Sequence, residues 1–153
     1  MATRGIIAVA NNDTIAEGWR GSYSHWDNYP ERMVGVLAIL VERDGYDKVV
    51  KTLTADHQSW SMIDPFYDED VPNSVKGYGV FHEDEDLTDD NSWYTHDCGW
   101  YSWASYAYVM TTEGVLVTRV VETGGMWEGD KRDIEPDAFH PWSTIMPGLF
   151  NPA

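Results

Sequence analysis

The chain has 153 residues, which is the size of one ordinary domain, and its 42% hydrophobic and 24% charged residues are typical of a folded globular protein. The charge is strongly negative, because 26 acidic residues oppose 10 basic ones and give a net charge of −16. Such a charge disfavours direct binding to nucleic acid and adsorption to anionic membranes. The longest apolar run, from Val34 to Val41, is too short to cross a bilayer.

The N-terminal segment predicts a β-hairpin. Residues Arg4 to Ala10 have the composition of a strand, and Asn11-Asn12-Asp13 is typical of a turn. A second strand is predicted from Trp19 to Trp26, where alternation places Trp19, Gly21, Tyr23 and His25 on one face. We expect the two strands to pair in antiparallel orientation.

Two helices are predicted next. Pro30 is suited to the first position of a helix, where its missing N–H is not needed, and Asp44-Gly45 is a natural helix end. Between them, apolar residues recur at spacings of three and four, as one stripe of a helix requires; they are Met33, Val36, Leu37, Leu40 and Val41. Tyr46 to Thr54 predicts a second, shorter helix.

The second half of the chain predicts further strands and long loops. Asp64 to Asn73 has loop composition, and Glu83 to Asp90 contains six carboxylates, which favours an exposed loop. Trp103 to Thr111 and Val115 to Val121 predict a hairpin around Thr112-Glu113-Gly114, with Gly114 at a positive φ.

The order of these elements predicts an α+β fold. We expect a mostly antiparallel sheet of about five strands, with one long and one short helix on one face. Residues 1–122 should form this single α+β domain. Residues 123–153 should form an irregular C-terminal extension packed on it, because glycine and proline interrupt the pattern at Gly124, Gly125, Gly129, Pro136, Pro141, Pro147 and Pro152.

One ordered string near the N-terminus carries a family resemblance. Thr3-Arg4-Gly5-Ile6-Ile7 is followed by Tyr23-Ser24-His25-Trp26-Asp27-Asn28-Tyr29-Pro30 and then by Gly35. This resembles a family of small, uncharacterised proteins of tailed bacteriophages, whose pattern is Met-x-Thr-Arg-x-x-Ile, Tyr-x-His-Trp-Asp-x-Tyr-Pro and a later Gly. The match covers about a quarter of the chain; Gly35 lies later than the pattern expects, and the acidic stretch from Asp64 to Asp90 has no counterpart. The resemblance implies an accessory phage protein acting inside the host cell, and it implies no particular reaction.

The same string suggests a ligand site. If the strand continues, His25 and Asp27 point to one side, and a carboxylate beside an imidazole raises its basicity, as a general base requires. Tyr23 and Tyr29 would position a ligand, and Arg4 or Arg32 would hold a phosphate or carboxylate. The alternative interpretation is structural: Asp27 and Asn28 would cap the helix, and His25 and Trp26 would simply pack.

No metal or cofactor is predicted. His96-Asp97-Cys98 and His82 bring ligand types together, but zinc requires three or four converging ligands at workable spacing. The lone Cys98 has no partner for an internal disulfide, which, with the absence of a signal-peptide pattern, favours the host cytoplasm.

A partner surface is predicted in the middle of the chain, where carboxylates and aromatic residues are concentrated. Clustered negative charge attracts basic partners, and exposed Trp is common at interfaces. The candidate residues are Asp68, Glu69, Asp70, Glu83, Asp84, Glu85, Asp86, Asp89, Asp90, Trp93 and Trp100.

Three functions follow as hypotheses. The leading one is an accessory bacteriophage protein without enzymatic activity, which inhibits or sequesters a basic host protein through its acidic surface. The second is a nucleotide or small-molecule binding protein, or a hydrolase, built on Tyr23, His25, Asp27, Tyr29 and Arg32. The third is a component of the virion. The sequence leaves the oligomeric state open.

Overall fold

The computed structural model describes residues 3–83, 93–96, 104–122 and 132–145. Within these ranges the chain is α+β, with two α-helices and one sheet of nine strands. The helices are α1 (Pro30–Asp44) and α2 (Tyr46–Thr54). The strands are β1 (Gly5–Ala10), β2 (Trp19–Ser24), β3 (Ser59–Ile63), β4 (Ser74–Val75), β5 (Gly79–Phe81), β6 (Tyr94–Thr95), β7 (Tyr106–Met110), β8 (Gly114–Glu122) and β9 (Arg132–Pro141).

The sheet is mixed, not mostly antiparallel. Its order is β4-β5-β3-β2-β1-β7-β8-β9, and β6 also pairs with β2. The pairs β1–β7 and β2–β3 are parallel, whereas the other pairs are antiparallel. The expectation of about five antiparallel strands was therefore imprecise. Strands of two or three residues carry no alternation to detect, and parallel pairing joins segments that are distant in sequence.

The predicted N-terminal hairpin is confirmed, and it fixes which side chains share a face. Ile6 lies opposite Tyr23 and Ala8 opposite Gly21, in antiparallel register. Ile6 and Ala8 belong to the smaller of two apolar clusters, with Trp19, so Tyr23 lies on that face of the sheet. Ser22 points to the opposite face, where its hydroxyl donates to the carbonyl of Leu53 in α2 at 2.6 Å.

Both helices begin and end where the sequence predicts. Pro30 occupies the first turn of α1, and Tyr29 before it is extended (φ −73, ψ 149), as a residue preceding proline should be. Gly45 separates the helices with φ 90. The apolar sides of α1 and α2 pack on one face of the sheet in the larger cluster, which includes Met33, Leu37, Leu40, Val49, Leu53, Ile7, Trp60, Tyr108 and Val117.

The predicted β7–β8 hairpin is confirmed, but Gly114 does not have the expected positive φ. The turn is closed instead by Thr111, whose hydroxyl accepts the N–H groups of Glu113 and Gly114 at 3.1 Å each. Gly114 begins β8, and a Cβ on it would lie 2.4 Å from the carbonyl oxygen of His140 in β9. Close approach of the neighbouring strand therefore explains the glycine.

The C-terminal extension is not wholly irregular, because β9 is a ten-residue strand paired with β8. Pro136 and Pro141 misled the sequence interpretation. Proline lacks a ladder donor but is tolerated on an edge strand, and β9 is the last strand in the sheet order. The register also shifts beside Pro136, between Val117 and Thr118.

Candidate functional site

A group of hydrogen-bonding side chains lies where β2 ends, on the face of the sheet opposite the helices. Tyr23 pairs with Ser59 of β3, and the N–H of His82, just after β5, donates to the carbonyl of Ser59 at 2.9 Å. Three strands thus bring Tyr23, Ser59 and His82 into one row. His25 and Arg4 lie at the end of that row.

His25 is held by Tyr23. The Tyr23 hydroxyl and Nδ1 of His25 are 2.8 Å apart, and the backbone N–H of His25 donates to the carbonyl of Trp60 at 3.0 Å. The ring is therefore fixed at one nitrogen, and Nε2 is the atom left to meet a ligand.

The predicted pairing of His25 with Asp27 is not observed. The strand ends at Ser24, and Asp27 takes a positive φ of 60 that turns the chain toward α1. Asp27 is exposed, and among the described residues no hydrogen bond joins it to His25. The strand was predicted to run to Trp26, two residues past its observed end, because an alternating pattern does not indicate where a strand ends.

A second histidine–hydroxyl pair stands beside the first. The Ser59 hydroxyl and Nδ1 of His82 are 2.6 Å apart. Arg4 precedes Gly5, which pairs with Ser24, so Arg4 comes next to His25 across the hairpin. We call these five residues, Arg4, Tyr23, His25, Ser59 and His82, the histidine site.

The histidine site contains basic side chains, although the protein as a whole has a net negative charge. Burial lowers the pKa of His25, and the nearby positive charges of Arg4 and His82 lower it further. Burial raises the pKa of Tyr23, while the charge of Arg4 and its hydrogen bond to Tyr23 act in the opposite direction. Tyr94 of β6 packs against Tyr23, with ring centroids 6.4 Å apart.

Two aromatic side chains next to the site are exposed. Trp26 is 45% exposed, and its ring lies edge to face with His25 at a centroid distance of 4.8 Å. Tyr29 is 41% exposed. Trp26 therefore offers an open ring beside His25.

Arg32, which was predicted to hold a ligand, has a structural role instead. It is only 7% exposed, and its guanidinium donates to the carbonyls of Ile63 at 2.7 Å and Asp27 at 3.3 Å. It ties the start of α1 to the end of β3.

The predicted helix cap is also absent. The N-cap of α1 is Tyr29, without a side-chain cap. The fully buried Asn28 donates its amide to the carbonyls of Thr3, Ser24 and Trp26 at 3.0–3.1 Å, so it holds the turn before the helix and does not cap it.

The described part of the predicted partner surface lies along one edge of the sheet. Asp68, Glu69 and Asp70 precede β4, the outermost strand. The Ser74 hydroxyl donates to the carbonyl of Glu69 at 3.3 Å, and Ser74 pairs with Val80, three residues before Glu83. All four carboxylate residues are exposed, and we call them the acidic edge.

The remaining predicted partner residues are either outside the described ranges or covered. Asp84, Glu85, Asp86, Asp89, Asp90 and Trp100 lie outside the described residues. Trp93 is only 6% exposed, and the guanidinium of Arg20 lies 4.8 Å from its ring centroid. Trp93 therefore does not present a free ring.

Sequence reasoning missed Ser59, His82 and Tyr94 as members or neighbours of this site. Each comes from a short strand or its end, and the parallel β2–β3 pairing that assembles them leaves no local pattern. Within the described ranges, no three His, Cys, Asp or Glu residues are grouped to hold a metal, and no helix is long and apolar enough to span a membrane.

Comparison of the chain with protein-family models, with curated proteins and with solved structures found no match.

Proposed function

We propose that this protein acts by binding, and that the histidine site is its binding site for a small molecule such as a nucleotide. The observation that carries the proposal is the 2.8 Å contact between the Tyr23 hydroxyl and His25, made beside Arg4 and His82. Hydrogen-bonding side chains from separate strands converge there, as ligand sites require. A tyrosine held against the imidazole replaces the His25–Asp27 pair that the sequence suggested.

A thermal-shift screen of the full chain against nucleotides and small metabolites tests this proposal. A bound ligand stabilises the folded state by an amount that grows with the logarithm of its concentration over Kd, so a binder should raise the Tm. The shift should disappear in His25→Ala and persist in His140→Ala, a histidine on the distant strand β9. A library that produces no shift, or a shift that His25→Ala leaves intact, contradicts the proposal.

We propose a second function for the acidic edge, the capture of a basic host protein by an accessory bacteriophage protein in the host cytoplasm. Its support is the grouping of Asp68, Glu69, Asp70 and Glu83 along one sheet edge. In the described ranges, ion pairs join Arg43 to Asp44 and Lys51 to Asp56, and neither pair uses these four carboxylates. Their charge is thus available to a cationic surface.

Affinity purification from infected cells at increasing salt tests this second function. Binding should weaken with ionic strength, and the triple variant Asp68→Asn/Glu69→Gln/Asp70→Asn should recover less partner. The matched control, Glu31→Gln/Glu42→Gln/Asp47→Asn, removes the same charge from exposed helical positions. An equal loss of recovered partner in both variants would indicate that binding depends on the net charge of the protein and not on the acidic edge.

A role in the virion is a third proposal, which rests only on the sequence resemblance. Proteomics of purified particles decides it, because a structural component is found in stoichiometric amounts, whereas an accessory protein is absent or contaminating.

A further inference from the structure

We propose that the ligand of the histidine site carries a phosphate group, and that Arg4, His25 and His82 bind this group together with the hydroxyls of Tyr23 and Ser59. The inference rests on the proposed function, because it requires that the histidine site binds a small molecule. It goes further by specifying the ligand's chemistry and the residues that recognise it.

The side chains of the histidine site supply the hydrogen-bond donors that a phosphate group needs. Arginine presents a fork of N–H donors that suits phosphate oxygens, protonated histidines donate from both nitrogens, and the two hydroxyls donate or accept. A carboxylate has two oxygens and is satisfied by one guanidinium. A site that gathers an arginine, two histidines and two hydroxyls has enough donors for the three free oxygens of a phosphate ester.

The local charge at the histidine site also favours an anion. The chain carries 26 acidic and 10 basic residues, yet among the described residues the charged groups that shift the pKa of His25 are Arg4 and His82. When His25 is protonated, its positive charge is repelled by Arg4 and His82. An anion bound between them removes that repulsion, so the arrangement favours an anionic occupant.

Each imidazole of the histidine site is held at Nδ1 by a hydroxyl group. Nδ1 of His25 faces the Tyr23 hydroxyl at 2.8 Å, and Nδ1 of His82 faces the Ser59 hydroxyl at 2.6 Å. In the neutral tautomer that carries its proton on Nε2, the hydroxyl donates to Nδ1 and Nε2 is a donor. In the protonated ring, Nδ1–H donates to the hydroxyl oxygen, and the hydroxyl hydrogen is free to point toward a ligand. Nε2 donates in both of these states, and we infer that a bound anion selects them over the neutral tautomer with its proton on Nδ1.

Protonation of His25 should therefore couple to phosphate binding. The groups around His25 are Arg4 before β1, Tyr23 of β2, Trp26, His82 after β5, and Tyr94 packed on Tyr23. Asp27 and Glu83, both exposed, follow the two histidines in the chain and oppose an anion. A bound phosphate favours the protonated imidazole, so phosphate binding should raise the pKa of His25 above its value in the free protein.

The test is isothermal titration calorimetry of the full chain with inorganic phosphate, ribose 5-phosphate, AMP and adenosine. We expect the phosphate-bearing ligands to bind and adenosine to bind at least about tenfold more weakly, a difference of about 1.4 kcal/mol. Equal affinity for inorganic phosphate and AMP identifies the free anion as sufficient, whereas tighter AMP binding adds a base contact, for which exposed Trp26 is placed.

The variants Arg4→Gln, His25→Gln and His82→Gln should each weaken phosphate binding about tenfold or more, and Tyr23→Phe should weaken it without removing a charge. Lys76→Gln and His140→Gln are the controls, because they remove a positive charge and an imidazole at positions away from the site. Circular dichroism and the Tm verify that each variant is folded.

The outcomes separate the inference from the proposed function. If adenosine binds as tightly as AMP and His25→Gln weakens both, the site exists and the phosphate inference is overturned. If phosphate binds but the four site variants bind it as well as the controls do, the anion is held elsewhere and the inference is again overturned. If neither these compounds nor the wider library binds, both proposals fail.

Discussion

The hydroxyl of Tyr108 in β7 donates a hydrogen bond to the backbone carbonyl of Asn28, 80 residues earlier in the chain. Both residues are fully buried. Asn28 ends the segment that leaves β2 through His25 and Trp26 and enters α1. The turn that follows the histidine site is therefore held in two ways. Tyr108, on the helix-covered face of the sheet, bonds to its backbone, and the Asn28 side-chain amide bonds to carbonyls on either side of it.

Removing this hydroxyl should destabilise the protein without changing its surface. We expect Tyr108→Phe to lower the free energy of unfolding by about 1–2 kcal/mol, because a buried carbonyl loses its partner. Urea unfolding followed by tryptophan fluorescence measures the change. Tyr29→Phe is the matched control, since that side chain is exposed, and it should change stability little. Equal effects in the two variants would show that the Asn28 carbonyl finds another donor.

Arg32→Lys should distinguish a structural arginine from a ligand-binding one. The guanidinium reaches two carbonyls, of Asp27 and Ile63, which a single ammonium cannot span equally well. We expect the free energy of unfolding to fall by about 1.5–3 kcal/mol, while the Kd of any ligand at the histidine site stays unchanged in the folded variant. Lys76→Ala, at an exposed position, serves as the control for stability. A folded Arg32→Lys protein with weakened ligand binding would restore Arg32 to the site.

The helix ends and the N-terminal hairpin could be predicted from the sequence, because residues close to one another in the chain determine them. Pro30 and Gly45 bound α1 as predicted, and the β1–β2 hairpin forms with the expected faces. Gly114 shows the limit of such reasoning. A side chain is excluded there by the backbone of His140, which lies in a segment that was expected to be irregular. The parallel β1–β7 pair joins segments about 100 residues apart, and nothing in either segment specifies the other.

The site was only partly predictable for the same reason. Tyr23 and His25 were found because they alternate on one strand, and the partner assigned to His25 was wrong because that strand ends at Ser24. Arg32 was offered, as an alternative to Arg4, because a guanidinium suits a phosphate or carboxylate, but the sequence does not show that its side chain is buried against β3. His82 and Ser59 enter through tertiary pairing alone.

Two glycines with positive φ allow the cost of backbone strain to be measured apart from the cost of a steric clash. Gly79 has φ 132, and a Cβ there would lie 2.0 Å from the carbonyl oxygen of Met62. Gly45 has φ 90, and nothing lies within 4 Å of its added Cβ. We expect Gly45→Ala to cost about 1 kcal/mol through strain, and Gly79→Ala to cost more than about 3 kcal/mol because β3 and β5 must separate. Urea unfolding tests the ranking, and equal costs would contradict it.

Asp44 should make the protein sensitive to acid at one identifiable contact. The Arg43 guanidinium donates to its carboxylate at 2.9 and 3.0 Å and the Tyr78 hydroxyl donates at 2.6 Å, which together lower the pKa of Asp44 to about 2. Arg43 also donates to the carbonyls of Pro65 and Gly77. The Arg43–Asp44 pair therefore connects the segment between β3 and β5, which includes β4, to the end of α1.

The sign of the pH dependence follows from that depressed pKa. An unfolded aspartate titrates near 3.9, so the contribution is complete above about pH 5 and is lost as the pH falls through the folded pKa of about 2. We expect Asp44→Asn to be less stable than the wild type by about 1 kcal/mol at pH 7, a value reduced by solvent screening, and to approach it at pH 2–3. Urea unfolding at pH 7, 5 and 3 measures the convergence, with Glu42→Gln on the exposed side of α1 as the control. A difference that stays constant from pH 7 to pH 3 would show that folding does not lower the pKa of Asp44, and that the Arg43–Asp44 charge pair contributes nothing to holding the segment.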